Sequence, residues 1–220
     1  MIEAEGLGKV YWDGDRDLEV LRDVSFSVER GEGAAILGPS GSGKTTLLNL
    51  LSGLDRPTSG RVRLDGVCLS ELNERGVAEL RNKRIGFVFQ SYHLLSEFSA
   101  LENVMLPALM GRKDKGSARE RASYLLERVG LKDRMKHFPS ELSGGEQQRT
   151  AIARSLVNDP AFLFCDEPTG NLDIQMGFEI AELLGELFVK EKKTVLIVTH
   201  DERIAKMADR VWNLVEKRWL

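Results

Sequence analysis

The sequence predicts an α/β fold with a parallel sheet at its centre, an antiparallel β subdomain at the N-terminus and an inserted α-helical lobe. Three short apolar runs, at residues 34–37, 162–165 and 194–198, have the continuous hydrophobicity typical of parallel strands buried on both faces. Residues 18–28 alternate apolar and polar in their second half, which is typical of a half-buried antiparallel strand.

Composition narrows the function classes. The length of 220 residues suits a single large domain, and the formal net charge of -3, with both signs interspersed, argues against a nucleic-acid partner. Cys68 and Cys165 lack metal-ligand spacing, so neither a disulfide framework nor a zinc site is indicated. We find no secretory signal and no apolar run near the roughly 18 residues that a membrane span requires, so we expect a membrane role to need a partner chain.

A glycine-rich loop follows the first apolar run. Residues 38–45 fit the pattern G-x-x-x-x-G-K-[ST] and precede a helical pattern, which is the setting of a phosphate-binding loop. In such a loop backbone N–H groups surround phosphate oxygens, Lys44 supplies a cation and Thr45 offers a hydroxyl to Mg²⁺. The predicted nucleotide-binding residues are Gly38, Pro39, Ser40, Gly41, Ser42, Gly43, Lys44, Thr45 and Thr46.

The helical lobe is predicted between a strand at residues 85–89 and the apolar run at residues 162–165. Leu101, Val104, Met105 and Ala108 have the spacing of one helix face. A second helix is predicted to open with a capping box at residues 117–120 and to end at Gly130.

Two carboxylates, Asp166 and Glu167, follow the apolar run at residues 162–165, at the carboxyl end of a strand, where open α/β sheets bind ligands. Asp166 suits Mg²⁺, and Glu167 suits a base that orients the attacking water in phosphoryl transfer. By itself an Asp-Glu pair before Pro168 is more typical of an exposed turn. Together with the phosphate loop it is the expected second half of a nucleotide site.

A second glycine-rich helix start lies at residues 142–149. Ser143 as N-cap and Glu146 three residues later predict a capping box. A capping box does not explain Gly144 and Gly145 in the first turn, which cost about 1 kcal/mol each relative to alanine. Close approach of an anion does explain them, and this second phosphate-binding surface suits the nucleotide of another subunit.

These motifs together resemble one family. The run Leu-Ser-Gly-Gly-Glu resembles the signature motif of ABC transporter ATPases, and three further elements follow the family's order: Gln90 after a strand, Asn-Leu-Asp at residues 171–173 after Glu167, and His200 after the last apolar run. The resemblance covers almost the whole chain. It implies a P-loop NTPase core, with residues 1–90 and 158–220 in the catalytic lobe and residues 91–157 in the helical lobe.

The resemblance also implies partners. Two copies would form a head-to-tail dimer with two ATP molecules, each between one copy's phosphate loop and the other's signature motif, formed by Ser143, Gly144, Gly145 and Glu146. Asp173 would reach across this dimer.

Further roles are implied around the nucleotide. Tyr11 would stack on adenine, although the adjacent Trp12 could serve instead. Thr45, Gln90 and Asp166 would hold Mg²⁺, and the catalytic set would be Glu167, His200 and Gln90. In this set His200 would bind the γ-phosphate, and Gln90 would contact the metal or the water and sense the membrane partner.

Other segments resemble one group within the family, which contains lipoprotein-releasing, macrolide-exporting and cell-division ATPases. Residues 93–104 are most similar to the Lol-type lipoprotein-releasing subunit. We therefore expect a peripheral ATPase on the cytoplasmic side of the inner membrane, bound to integral permease subunits. A macrolide or peptide exporter and a non-transport cell-division ATPase are the alternatives, and a soluble ATPase of DNA repair or translation is disfavoured. The chain lacks the Asp-Gly hairpin that usually follows the family's last strand.

Overall fold

The computed structural model describes residues 1–12 and 14–220, with the side chains of all of these except residues 174 and 187–191. The strands are Ile2–Trp12 (β1), Asp17–Val28 (β2), Gly33–Leu37 (β3), Ser59–Leu64 (β4), Val67–Cys68 (β5), Ile85–Val88 (β6), Phe162–Asp166 (β7), Thr194–Thr199 (β8), Arg210–Asn213 (β9) and Arg218–Trp219 (β10). The α-helices are Lys44–Leu51 (α1), Glu74–Arg84 (α2), Ala100–Met110 (α3), Lys115–Arg128 (α4), Gly144–Leu156 (α5), Ile174–Glu191 (α6) and Glu202–Ala205 (α7).

Two sheets organise the chain. Strands β2, β1, β4 and β5, in that order, form an antiparallel four-stranded sheet. The six-stranded sheet has the order β10-β9-β3-β8-β7-β6, and it is parallel except for the edge strand β10. Strands β6 and β7 are neighbours in the sheet although helices α3 to α5 lie between them in sequence. The predicted parallel sheet, N-terminal antiparallel unit and inserted helical lobe are all confirmed.

The core lies on both faces of the parallel sheet. All residues of β8 are buried, as are the first four of β7, which confirms that the continuous apolar runs are central strands. One face packs against the N-terminal sheet and α1, and the other packs against the helical lobe and α6. In α3 the four residues with helical spacing, Leu101, Val104, Met105 and Ala108, are buried in that second cluster. None of the helices in the described part of the chain is both long and apolar enough to cross a membrane.

Two details of the sequence interpretation change. Helix α4 begins at Lys115, and its N-cap is Asp114, whose carboxylate accepts a 3.0 Å hydrogen bond from the Ser117 backbone N–H. The predicted capping box at residues 117–120 is therefore wrong, because an equally good cap lies one turn earlier. At the C-terminus β9 and β10 form a hairpin without an Asp-Gly turn, with Lys217 at φ +55°.

Glycine is required at one point of contact between strands. Gly60 has φ +79°, and a Cβ there would lie 2.3 Å from the Gly6 carbonyl oxygen. Gly66 has a similar φ of +81°, but a Cβ there would meet nothing within 4 Å. Alanine substitutions at Gly60 and Gly66 therefore separate the free-energy cost of a left-handed backbone from the cost of a collision with backbone atoms.

We expect Gly60→Ala to lower the free energy of unfolding by about 1–3 kcal/mol more than Gly66→Ala, because only the first change overpacks the β1–β4 contact. Both variants carry the left-handed penalty of about 1–2 kcal/mol. Urea unfolding followed by circular dichroism measures the difference. Equal losses in the two variants would contradict the steric explanation.

Candidate functional site

The carboxyl edge of the parallel sheet gathers the residues that the sequence singled out. Register pairs Leu37 with Thr199 and Asp166 with Val198, so β3, β8 and β7 end at the same level. The residues that follow these strands, Gly38, His200 and Glu167, therefore lie side by side. This is the edge at which open α/β sheets bind ligands.

The loop at residues 38–43 has the form of an anion cradle. Gly41 and Gly43 have φ values of +79° and +91°, and Gly43 directly precedes α1. Among the described residues the backbone N–H groups of Gly41, Gly43 and Lys44 have no hydrogen-bond acceptor, and those of Gly43 and Lys44 lie at the helix start, where such donors are expected. The Ser42 hydroxyl is buried and also lacks a partner within the described chain. These unpaired donors fit phosphate oxygens.

Lys44 lies beneath this loop and is only 7% exposed. Its ammonium nitrogen donates to the carbonyl oxygens of Gly38 and Pro39, both at 2.9 Å, and lies 3.4 Å from Glu167 Oε1. The cation is thus held between the phosphate loop and the carboxylate at the end of β7.

Thr45 and Asp166 meet as the sequence predicts. The Thr45 hydroxyl donates to Asp166 Oδ1 at 3.2 Å, which joins the first turn of α1 to the end of β7. Burial raises the pKa of Asp166, the negative charge of Glu167 raises it further, and the Thr45 hydrogen bond and the charge of Lys44 lower it. A cation near these oxygens would remove the penalty that burial places on the carboxylate.

Glu167 is held by four contacts in a strained backbone conformation. Its φ is +44°, a value that non-glycine residues rarely adopt. Its Oε1 lies 2.9 Å from His200 Nδ1 and near Lys44, and its Oε2 accepts from the Thr199 hydroxyl at 3.0 Å and from the His200 N–H at 3.3 Å. The strain and these contacts aim a fixed carboxylate at the phosphate loop. The His200 ring is 55% exposed and is therefore accessible to a ligand.

Gln90 follows β6 at the same edge. In the described chain its amide nitrogen contacts Asn171 Oδ1 at 3.2 Å, rather than the Thr45–Asp166 pair, and Asn171 donates back to the Gln90 carbonyl oxygen at 2.9 Å. The structure therefore places Gln90 at the site's edge, bound to the segment that follows Glu167. Its part in metal binding stays a prediction.

The second glycine-rich run forms the predicted capping box. Ser143 Oγ accepts from the Glu146 N–H at 3.3 Å, and Glu146 Oε2 accepts from the Ser143 N–H at 2.8 Å. The hydrogen bond from the Ser143 backbone N–H, and then the one from the Arg134 guanidinium at 2.8 Å, lower the pKa of Glu146. The N–H groups of Gly144 and Gly145 have no acceptor among the described residues.

The sequence predicts that an anion approaches both Gly144 and Gly145, and for Gly145 this reason is not needed. Gly145 is buried, and a Cβ there would lie 2.0 Å from Met176 Sδ in α6, so packing explains this glycine without any anion. At Gly144 the nearest atom to a Cβ would be Tyr92 Oη at 3.1 Å, a looser contact. Anion approach stays a prediction for Gly144.

Asp173 and the two N-terminal aromatic residues stay candidates. The Asp173 carboxylate caps α6 by accepting from the Met176 N–H at 2.9 Å, which leaves its other oxygen available. The Tyr11 hydroxyl donates to Asp55 at 2.7 Å, and the Lys9 ammonium lies 4.6 Å from the centre of the Tyr11 ring. Trp12 is 71% exposed and Tyr11 37%, so either ring is accessible for stacking.

Sequence reasoning missed a half-buried cation near Gln90. The Arg154 guanidinium, in the last turn of α5, donates to the carbonyl oxygens of Tyr92, at 2.6 Å, and His93. Both of these residues have positive φ, 56° and 49°. Arg154 thus ties the signature helix to the segment after Gln90, and burial lowers its pKa. A single arginine beside the apolar residues at 151–153 and 156–157 was the available signal.

The chain is similar in sequence to known proteins. A family model described as ABC transporter matches residues 21–170. The chain is 50% identical, over 98% of its length and 95% of the relative, to the lipoprotein-releasing system ATP-binding protein LolD of Pseudomonas fluorescens. It is 49% identical to the LolD protein of Legionella pneumophila, with the same coverage of both chains.

Solved structures of other proteins have a closely similar fold. The ATP-binding cassette MJ0796, in a dimeric post-hydrolysis state bound to ADP and Pi, has a TM-score of 0.90 and 38% identity, covering 97% of this chain and 94% of its own. The protein cbiO1 of Clostridium perfringens, part of the transporter complex cbiONQ, has a TM-score of 0.86 and 33% identity, covering 100% of this chain and 86% of its own.

Proposed function

The chain belongs to the ABC transporter family, and we propose that it is the ATP-binding, ATP-hydrolysing subunit that powers release of lipoproteins from the bacterial inner membrane. The proposed substrate rests on the 50% identity, over 98% of the chain, to a lipoprotein-releasing system ATP-binding protein. The geometry at the carboxyl edge of the sheet supports the chemistry.

The phosphate loop and Lys44 bind the ATP phosphates. Loop N–H groups and the N-terminus of α1 face the nucleotide, and the Lys44 cation adds charge that neutral donors cannot supply. Glu167 then orients and polarises the attacking water, because its carboxylate is fixed at the same edge. His200 contacts both the γ-phosphate and Glu167, and its Nδ1 is already 2.9 Å from that carboxylate.

Mg²⁺ fits the residues present. The Thr45 hydroxyl and the Asp166 carboxylate lie 3.2 Å apart and offer the hard oxygen atoms that this cation prefers. Thr45, Asp166 and Gln90 would hold it, and it would neutralise charge on the phosphate oxygens. Burial raises the pKa of Asp166, and a bound cation would stabilise its ionised form.

The functional unit is a head-to-tail dimer. The N–H groups of Gly144 and Gly145, at the start of α5, have no acceptor in the described chain. An ATP phosphate held by a second copy supplies that acceptor. Ser143, Gly144, Gly145 and Glu146 therefore complete the partner's site, and Asp173 contacts the partner. The dimeric form of the related cassette MJ0796 supports this arrangement.

Integral permease subunits dock beside Gln90 and the segment at residues 91–110. Leu95 and Phe98 are 47% and 37% exposed, and Met110 is 78% exposed, which leaves apolar side chains for a partner. The buried Asn103 amide holds the loop below them by donating to the carbonyl oxygens of Leu95 and Phe98. Docking there places the ATPase peripherally on the cytoplasmic side of the inner membrane.

Depletion of the protein in its host tests the substrate. We expect outer-membrane lipoproteins to accumulate in the inner membrane, because their release would lose its source of energy. Membrane fractionation and immunoblotting of several lipoproteins measure this. Expression of the wild-type chain should restore sorting, and expression of Glu167→Gln should not.

Two other outcomes contradict the proposal. Correct lipoprotein sorting combined with sensitivity to macrolides would indicate an exporter of the same group. Correct sorting combined with a division defect would indicate a cell-division ATPase.

A further inference from the structure

Thr199 is a buried polar residue at the end of β8, directly before His200. Its exposure is 1%, so its hydroxyl has to find partners inside the protein. Two partners are present: Glu167 Oε2 at 3.0 Å and the backbone N–H of Asp201 at 3.0 Å. The residue thus lies between the catalytic carboxylate and the start of α7.

The direction of these hydrogen bonds is fixed by chemistry. The Asp201 N–H is only a donor, so the Thr199 oxygen accepts from it. An ionised carboxylate is only an acceptor, so the single Thr199 O–H proton is directed at Glu167 Oε2. The acceptor role of the oxygen polarises the O–H bond and strengthens the contact with Glu167.

The backbone of Thr199 is equally constrained. Its carbonyl oxygen accepts from the N–H of Gly38, the first residue of the phosphate loop, at 3.3 Å. Register also pairs Thr199 with Leu37 across β8 and β3. The backbone of Thr199 therefore cannot shift without movement of the strand ends that carry the phosphate loop, and the contacts with Glu167 and the Asp201 N–H hold the side-chain rotamer.

The other contacts of Glu167 are less fixed. His200 has a ring that is 55% exposed, and its N–H contact to Oε2 is 3.3 Å long. Lys44 is needed by phosphates in the proposed mechanism and approaches Oε1. Of the donors to Oε2 in the described chain, the Thr199 hydroxyl is thus the shorter and the buried one, and the proposed mechanism does not assign it to ATP.

We infer that Thr199 is a positioning residue for ATP hydrolysis: its hydroxyl holds the Glu167 carboxylate at the orientation in which it meets the attacking water. This inference rests on the role proposed above for Glu167. It concerns the chemical step and not the binding of ATP, because the side chain faces the carboxylate and not the phosphate loop.

The test compares steady-state ATP hydrolysis and ATP affinity of the purified full-length chain and its variants. Thr199→Val keeps the shape and removes the hydroxyl, and we expect kcat to fall by about 10- to 100-fold, as for a lost hydrogen bond to a charged group. The KM and the affinity for a fluorescent ATP analogue should not change. Thr199→Ser restores the donor and should restore kcat.

Thr194→Val is the matched control. Thr194 is also a buried threonine of β8, and its hydroxyl accepts from the Gly31 N–H at 3.0 Å at the opposite end of the strand. This variant loses one buried hydrogen bond away from the site, so thermal stability should fall and kcat should not. If Thr199→Val is insoluble, Thr199→Ala removes the same hydroxyl and replaces it in every assay.

A double variant distinguishes positioning of the Glu167 carboxylate from a general disturbance of the fold. If Thr199 acts through Glu167, then Thr199→Val combined with Glu167→Gln should hydrolyse ATP in single-turnover assays at the same residual rate as Glu167→Gln alone. A further decrease would overturn the inference, and so would wild-type kcat in Thr199→Val. Failure of the inference is distinct from failure of the proposed function, because normal hydrolysis by Glu167→Gln alone would remove the premise.

Discussion

Glu167→Gln is expected to leave ATP binding intact while hydrolysis falls by about 10²- to 10⁴-fold, the usual contribution of a general base. Glutamine keeps the shape and an oxygen acceptor, so the contacts with Thr199 and the His200 N–H persist. It loses the negative charge that polarises water. Because ATP holds the two copies together in the proposed dimer, the ATP-bound dimer should then accumulate.

Gel filtration with Mg-ATP measures the dimer, and phosphate release measures hydrolysis. We expect the variant to elute at twice the monomer mass and the wild-type chain to return to monomer as ATP is consumed. Glu202→Gln is the control, since Glu202 is an exposed carboxylate near the same edge whose ion pair is with Lys206. A Glu167→Gln chain that stays monomeric and hydrolyses ATP normally would contradict the assignment of Glu167.

The parts of the site that the sequence predicted correctly depend on local patterns. Apolar runs end at residues 37, 165 and 198, and the structure ends β3, β7 and β8 within one residue of these points. Parallel strands with one register bring their carboxyl ends to one edge. The proximity of Thr45 to Asp166 and of His200 to Glu167 follows from these two facts.

The remaining features depend on contacts between residues far apart in sequence. Gly145 needs its lack of a side chain because Met176 packs on it from α6, and the helix pattern alone carries no sign of that neighbour. Arg154 finds its acceptors in the carbonyl oxygens of residues 92 and 93, which have no side-chain signal. The change of N-cap from Ser117 to Asp114 is different, because both are good caps and only the observed helix start distinguishes them.

The shared site of the dimer gives the second large effect. Lys44→Ala should abolish hydrolysis by weakening ATP binding, because it removes the buried cation of the phosphate loop. Ser143→Arg should abolish hydrolysis without weakening binding to the isolated chain, because Ser143 contacts the partner's nucleotide in the proposed dimer. Each variant alone should be inactive, for different reasons that a titration with a fluorescent ATP analogue separates.

Mixing the two inactive variants should restore turnover. In a mixed dimer the intact phosphate loop of the Ser143→Arg chain meets the intact signature of the Lys44→Ala chain, and the other site combines both defects. Random exchange makes about half of the dimers mixed, each with one working site, so we expect roughly a quarter of wild-type activity if the sites work independently. A mixture of Ser143→Arg with itself under a second affinity tag is the control and should stay inactive.

Cross-linking tests the same geometry without relying on turnover. The native Cys68 and Cys165 are both buried, so cysteines introduced as Ser40→Cys and Ser143→Cys should be the reactive pair in a mild oxidant. If the phosphate loop of one copy faces the signature of the other, a disulfide-linked dimer should form between a Ser40→Cys chain and a Ser143→Cys chain, and ATP should increase its yield. Either single variant alone should cross-link poorly, because a head-to-tail arrangement places identical positions on opposite sides of the dimer. Absence of the mixed cross-link, together with no recovery of activity in the mixture, would place the whole site within one chain and leave the unpaired N–H groups of Gly144 and Gly145 without their proposed acceptor.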